Sequence, residues 1–223
     1  MVSEEWPRFS PVGDAAVLVA FGAAIDPRIN ARVHSLAAAV GAARLPGFGE
    51  AVPAYTSLLV HYDPLRFTYA GALDALHALL PGLEQQQDVP TGRVVEIPVR
   101  YGGEDGPDLE TVASLNGLLP QEVVAIHSGG EYPVYMIGFL PGFPYLGGMD
   151  PRIAAPRRES PRTRVPAGSV GIAGEQTGIY SLESPGGWQL IGRTPLALFD
   201  PLREPPALLA PGDRVRFVPV EEP

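Results

Sequence analysis

The sequence predicts an α+β protein with two domains, a small N-terminal α+β sandwich followed by a β-barrel. Strand and helix patterns alternate through the first part of the chain, which is typical of helices that cover one face of a sheet. Later, short β patterns are separated by Gly and Pro turns, which favours a closed antiparallel barrel. A polar segment, 84–92, lies between these parts. We therefore place the N-terminal domain at residues 1–87, a linker at 88–92 and the second domain at 93–223.

The elements of the N-terminal domain follow from apolar spacing and turn residues. Asp26 and Pro27 form a helix start signal, because Asp caps free N–H groups and Pro is tolerated in a first helical turn. Asp63 and Pro64 end a strand. The predicted elements are a strand over 14–21, a helix over 26–43, a strand over 56–62 and a helix over 69–80.

The second domain begins with mixed patterns and continues with β patterns alone. An alternating run predicts a strand over 93–101, and apolar residues at helical spacing predict a helix over 108–118. Residues 121–127 are rich in β-branched side chains and predict a strand that ends at His127. The later predicted strands are 132–139, 169–174, 177–182, 188–194 and 214–220.

Composition excludes several classes of function. The formal net charge of −9 argues against nonspecific binding to nucleic acid or to an anionic membrane, because phosphate groups require a cationic surface. Cysteine is absent, which excludes disulfides, thiolate nucleophiles and cysteine-ligated metals. All 16 cationic residues are arginine, so neither a Schiff-base lysine nor a P-loop lysine exists. No apolar run is long enough to cross a membrane, and the acidic start is not typical of a signal peptide, so we expect a cytoplasmic protein.

The segment 137–195 has the composition of a binding site. It combines repeated Gly and Pro with aromatic and Arg residues, and it shows no regular helical or strand period. Pro stiffens the backbone and Gly permits close approach, so the segment favours a preformed pocket over a flexible loop. We expect Phe139 and Phe143 to line this pocket, although aromatic residues more often fill a core.

The arginines of this segment are candidates for anion binding. Arg157 and Arg162 each follow a proline, and their guanidinium groups suit a carboxylate or phosphate. Arg193 lies in an apolar run, where a buried guanidinium needs an anion or several acceptors. The alternatives are a solvated loop or a docking surface for an acidic partner.

The remaining polar candidates are His127, Gln176 and Thr177. His127 precedes a Gly turn and suits an acid–base role, with a structural role as an equal alternative. Gln176 and Thr177 lie between two glycines and offer donors and acceptors for an amide, or else for the turn itself. The four histidines lack zinc-ligand spacing, so we expect no metal site.

Three long motifs in this order resemble one known family. They are GFLPGFPYLGG (138–148), PRRESPRTRVPAGSVGIAGEQTGIY (156–180) and SPGGWQLIGRTP (184–195). The chain is similar through them to the family of allophanate hydrolase subunit 1, the 5-oxoprolinase B subunit and the Kip-type kinase inhibitors, and weaker similarity extends over most of the chain. One departure is Ser181, where the family commonly has proline.

The resemblance implies an N-terminal α+β domain followed by a cyclophilin-like β-barrel. It also implies a partner, a related second subunit of the allophanate hydrolase subunit 2 type, and in the oxoprolinase case a third, lactam-utilisation subunit. We therefore expect a subunit of an ATP-dependent 5-oxoprolinase, inactive alone, with ATP acting through the assembled complex and no covalently bound cofactor. The alternatives are a histidine-kinase inhibitor, which is a binding module, and a carboxyltransferase-type subunit acting on urea, allophanate or a related amide.

In the oxoprolinase hypothesis, Arg193 and His127 have catalytic roles, the first stabilising negative charge and the second transferring a proton. Arg157, Arg162, Gln176, Thr177, Phe139 and Phe143 bind the substrate. We expect His127, Arg157, Arg162, Gln176 and Arg193 to converge on one pocket.

Overall fold

The computed structural model describes residues 6–82 and 92–221. The chain divides into two compact units, Met1–Pro90 and Thr91–Pro223. Apart from Gly92, the predicted linker 88–92 lies outside the described residues. None of the helices in the described residues is both long enough and apolar enough to span a membrane.

The first unit is a four-stranded antiparallel sheet with two helices. The sheet has the strand order β1-β2-β4-β3. Asp26 caps the first helix, accepting a hydrogen bond from the Arg28 N–H at 2.7 Å, as the sequence predicts. The elements are β1 (Arg8–Val12), β2 (Ala16–Ala20), α1 (Pro27–Ala43), β3 (Phe48–Pro53), β4 (Ser57–Tyr62) and α2 (Tyr69–Leu79).

Both helices cover the same face of this sheet. Val17 on β2 lies opposite Val60 on β4, and both side chains are buried. Val33 and Leu36 of α1 and Leu76 of α2 complete the same apolar core. The predicted α+β sandwich is thus confirmed.

The second unit contains a closed barrel of seven strands in the order β10-β7-β6-β13-β5-β12-β9. A separate two-stranded ribbon, β11-β8, adjoins it. Its elements are β5 (Val94–Tyr101), α3 (Leu109–Asn116), α4 (Pro120–Ser128), β6 (Tyr132–Ile137), β7 (Pro144–Leu146), β8 (Arg162–Val165), β9 (Ser169–Ala173), β10 (Gln176–Ile179), β11 (Ser184–Gly186), β12 (Gln189–Arg193) and β13 (Arg214–Pro219).

The closed barrel is confirmed, but the prediction that all its strands pair antiparallel is wrong for one pair of strands. There, β13 pairs with β5 in parallel, with Val215 opposite Val95 and Phe217 opposite Ile97. Parallel pairing requires a long crossover, and nearly the whole unit lies between these two strands. The local sequence pattern of a strand does not indicate whether it pairs with its neighbour in parallel or antiparallel.

The predicted strand 121–127 is also wrong, because these residues belong to helix α4. Pro120 occupies the first turn of the helix, and the Glu122 carboxylate accepts a hydrogen bond from the Leu119 N–H at 2.7 Å. This start signal and the packing of buried Val123 outweigh the strand preference of the β-branched residues. His127 therefore lies in the last turn of a helix rather than at a strand end.

Candidate functional site

The turn between β6 and β7 presents an exposed phenylalanine in a strained conformation. Phe139 has a φ of 61°, and the Leu140 N–H donates to the Gly138 carbonyl oxygen at 2.6 Å across it. A three-residue turn with a positive central φ is rare and unfavourable for a bulky side chain. The Phe139 side chain is 65% exposed, so apolar burial does not offset this strain. Strain of this kind concentrates at binding sites.

Behind Phe139 lies a cluster of aromatic side chains centred on Phe143. The Phe143 ring contacts Phe139, Tyr145, Tyr180 and Trp188 edge-to-face, at centroid distances of 5.5, 5.2, 5.6 and 5.9 Å. Such contacts stabilise an aromatic cluster beyond the apolar area it buries. The Phe139 ring therefore packs, through Phe143, against a cluster of aromatic side chains.

This cluster lines a cavity of about 320 Å³ in the barrel unit. Most of its wall is aromatic or backbone, with one guanidinium group. The lining residues are Phe139, Phe143, Tyr145, Arg157, Pro161, Tyr180, Pro185, Gly186, Gly187 and Trp188. We call it the aromatic pocket. Its position, between the GFLPGFPYL segment and the segment ending at Tyr180, is where the sequence predicts a pocket.

Arg157 supplies the charge of the aromatic pocket. Every other arginine within residues 92–221 donates from its guanidinium group to a carboxylate or a carbonyl oxygen. For Arg157, which is exposed, the structure shows no such bond within the described residues. An unpaired guanidinium at the edge of an apolar cavity suits an anionic group on a small ligand.

A buried carboxylate fixes the segment that carries Arg157. Asp108 accepts hydrogen bonds from Arg158 at 3.1 Å, from Arg162 at 2.8 Å and from the Leu190 N–H at 2.7 Å. The residue is only 4% exposed. Arg158 and Arg162 follow Arg157 in the chain, and Leu190 belongs to β12. Asp108 therefore connects the segment that carries Arg157 to β12.

Tyr180 forms a wall of the aromatic pocket with a neutral hydroxyl group. Burial raises the pKa of Tyr180, and the Trp188 backbone together with the charges of Arg157 and Arg162 only partly oppose this rise. The two arginines therefore act on the electrostatics of the pocket wall. Arg162 is not part of the pocket lining, and its guanidinium group is held by Asp108.

His127 and Thr177 contact each other in the barrel core rather than in the aromatic pocket. The side chain of His127 is fully buried, with Nδ1 2.7 Å from the Tyr101 hydroxyl and Nε2 2.9 Å from Thr177 Oγ1. Thr177 donates its own proton to the Gly171 carbonyl, so Nε2 carries the His127 proton and Nδ1 accepts from Tyr101. With both nitrogens occupied, the predicted acid–base role of His127 finds no support in this geometry.

The predicted convergence of five residues on one pocket is therefore wrong. Arg157, Phe139 and Phe143 meet at the aromatic pocket, whereas Arg162 is paired with Asp108 and is not part of the lining. Arg193 lines a different cavity, and Gln176 lies on β10 outside the lining of the aromatic pocket. The predicted site also lacked Tyr180, Trp188 and Asp108. The two aromatic residues are visible in the motifs, whereas nothing near Asp108 in the sequence indicates its arginine partners.

The strain at Phe139 leads to a stability prediction. We expect Phe139→Gly to be more stable than Phe139→Ala by about 1 kcal/mol, because both lose the ring but only glycine adopts a positive φ without strain. Urea unfolding of the two variants measures the difference. Equal stability would show that the turn relaxes to a negative φ in the alanine variant, and that residue 139 is not held in the strained form.

Comparison with known proteins assigns the chain to a family. The carboxyltransferase domain family, subdomain C and D, matches residues 7–209. The chain belongs to this family. It is 51% identical to the 5-oxoprolinase B subunit of Bacillus subtilis over 96% of this chain and 93% of that protein. It is 46% identical to the 5-oxoprolinase B subunit of Escherichia coli O157:H7, over 95% of each chain.

Segments similar to this chain also occur within longer polypeptides. The crystal structure of TTHA0988 matches with a TM-score of 0.82 and 47% identity, over 93% of this chain but 40% of that one. Urea amidolyase of Lachancea kluyveri is 30% identical over 96% of this chain and 13% of its own length. The present chain thus corresponds to a minor part of each of these two proteins.

Proposed function

We propose that this chain is the B subunit of an ATP-dependent 5-oxoprolinase, which opens 5-oxo-L-proline to L-glutamate in the cytoplasm. The observation that carries the proposal is Arg157, which lines the aromatic pocket and has no hydrogen-bond or ion-pair partner in the part of the chain that the structure describes. Support comes from the two relatives named as 5-oxoprolinase B subunits, which match nearly the whole chain at 51% and 46% identity.

The substrate has the chemistry that the aromatic pocket accommodates. 5-Oxoproline is a small five-membered lactam ring with one carboxylate. Its ring suits contact with the rings of Phe139 and Trp188, and its carboxylate suits bidentate hydrogen bonding by Arg157. A ligand of this size fits within about 320 Å³.

The reaction requires activation of a stable amide. The γ-phosphoryl group of ATP is transferred to the lactam oxygen, which forms a C–O–P linkage and releases ADP. One water then adds to the ring carbon, and the C–N bond breaks to give a free amine and an acyl phosphate. A second water releases inorganic phosphate and leaves the glutamate carboxylate. In this scheme Arg157 holds the substrate, and the chemistry is supplied by the assembled complex.

A partner subunit completes the proposal. The segment equivalent to this chain occupies 40% of the TTHA0988 polypeptide and 13% of the urea amidolyase, so related segments are covalently joined to further protein. We propose that here a related second subunit, together with a lactam-utilisation subunit, supplies the corresponding part as separate chains. Phe139, exposed beside the pocket, is available for contact with such a partner.

The proposal is tested in the reconstituted complex with Arg157→Gln. We expect wild-type chain alone to show little turnover, and the complex with both partners to convert 5-oxo-L-proline to glutamate with release of phosphate. Arg157→Gln should raise the KM for 5-oxoproline by about ten- to a hundredfold, because a charge-assisted contact is lost. Arg157→Lys should not restore the wild-type KM, since an ammonium group cannot form the bidentate contact.

The control is Arg164→Gln, which removes an exposed arginine that is paired with Glu183 and does not line the aromatic pocket. It should leave the KM unchanged. Absence of turnover in a complex that assembles would refute the assigned function. Turnover with a normal KM in Arg157→Gln would instead place the substrate elsewhere.

A further inference from the structure

Two adjacent glycines, Gly186 and Gly187, lie in the wall of the aromatic pocket. The fold requires glycine where a side chain would overlap its neighbours or where the backbone adopts a positive φ. Where neither condition holds, the missing side chain leaves space in the pocket that a ligand can use. What a Cβ atom would meet at each position distinguishes the two cases.

The fold itself requires Gly186. A Cβ atom at that position would overlap the Tyr180 hydroxyl oxygen. Tyr180 is 2% exposed and packs edge-to-face against Phe143 and Trp188, so its ring has no space into which it could move. The absence of a side chain at residue 186 therefore follows from the packing of the chain alone.

No such requirement holds at Gly187. Its φ lies outside the left-handed range, so the backbone there does not need glycine. The atoms nearest to an added Cβ would be Pro161 Cγ at 3.6 Å and the Arg158 carbonyl oxygen at 3.8 Å, which are ordinary van der Waals distances. An alanine at residue 187 would thus fit against the described residues without displacing any of them.

Gly187 lies beside the segment that carries Arg157. The Arg158 N–H donates to the Gly187 carbonyl oxygen at 2.8 Å. Pro161, whose side chain is the nearest to an added Cβ, also lines the aromatic pocket. A side chain at residue 187 would therefore occupy part of the pocket next to this segment. A ligand whose carboxylate is bound by Arg157 brings the carbon that bears the carboxylate into the same part of the pocket.

We propose that Gly187 determines the size of the ligand that the aromatic pocket accepts, by leaving room for the carbon atom that bears the ligand's carboxylate. The inference rests on the proposed function, because the ligand is a small lactam acid held by Arg157. A methyl group at residue 187 and a substituent on that carbon would compete for the same space. Gly187 is then a specificity-determining residue that acts through shape alone.

The test is isothermal titration calorimetry of the reconstituted complex without ATP, so that binding is measured apart from turnover. The ligands are 5-oxo-L-proline and its 2-methyl derivative, which has one extra methyl group on the carbon that bears the carboxylate. We expect Gly187→Ala to weaken binding of 5-oxo-L-proline by about tenfold. It should weaken binding of the methyl derivative more, by about a hundredfold, because the two methyl groups meet.

Gly41→Ala is the matched control, because it adds the same methyl group in helix α1, where no atom lies within 4 Å of the added Cβ. Its affinity for both ligands should equal that of the wild type. Urea unfolding verifies the fold. Gly187→Ala should be at least as stable as the wild type, whereas Gly186→Ala should be less stable because its Cβ overlaps Tyr180.

The inference is overturned if Gly187→Ala binds both ligands as tightly as the wild type does, or if it weakens both by the same factor. It is also overturned if the wild-type complex does not bind 5-oxo-L-proline. Failure of the proposed function gives a different result. A wild-type complex that binds 5-oxo-L-proline but does not convert it when ATP is added refutes the function, while the effects of Gly187→Ala on the two affinities still support the inference.

Discussion

Asp108→Ala should destabilise the barrel unit by about 3 kcal/mol, a larger effect than any exposed ion pair in the chain would show. The substitution removes the acceptor of two arginines and of the Leu190 N–H. Breaking a buried ion pair from one side leaves the other charges without compensation. The Arg158 and Arg162 side chains are 36% and 22% exposed, so water lowers the loss below that of a fully buried pair. Urea unfolding, followed by Trp188 fluorescence in a Trp6→Phe background, measures this loss of stability.

Glu183→Gln is the control for this prediction. Glu183 also pairs with an arginine, Arg164, but its side chain is 50% exposed, so we expect no measurable change in the unfolding midpoint. Asp108→Asn retains one carbonyl oxygen as an acceptor, so its stability should lie between those of Asp108→Ala and Glu183→Gln. A result in which Asp108→Ala is no less stable than Glu183→Gln would contradict the role we assign to this carboxylate.

Local sequence patterns predicted the elements whose signals lie within a few residues. The start of α1 depends on Asp26 and Pro27, which are adjacent to the helix they begin. The alternation in β5 and the helical spacing of α2 are likewise local. For α4 two local signals conflict, because β-branched residues favour a strand whereas Leu119, Pro120 and Glu122 begin a helix.

The sequence predicted the position of the aromatic pocket but not its full lining. The Gly, Pro and aromatic motifs indicate a pocket, and Phe139, Phe143 and Arg157 do line one. What the sequence does not show is which arginines already have partners. Asp108 lies 54 residues before Arg162, and such a pairing follows only from the barrel topology. For the same reason the sequence did not predict that His127 is paired in the core, because its partners Tyr101 and Thr177 come from two different strands.

We expect the barrel unit to lose stability as the pH falls from about 6.5 to about 3, because of His127. Burial lowers the pKa of His127 from 6.5 to about 3, so over this range the unfolded chain binds a proton that the folded chain does not. For one proton the slope is about 1.4 kcal/mol per pH unit, and it disappears below the folded pKa, where both states are protonated.

The pH effect is separated from other titrations by substitution and by direct observation of the ring. His127→Gln should be less stable near neutral pH, because a single amide group cannot take the positions of both ring nitrogens and bond to Tyr101 and Thr177 together. Its stability should fall less steeply with acid. His61→Gln, which replaces an exposed histidine, should keep the wild-type slope. In NMR spectra of the folded wild type, the ring signals of His127 should not titrate above about pH 4. A His127 ring that titrates near pH 6.5 would show that water reaches it, and would make it a candidate proton-transfer group again.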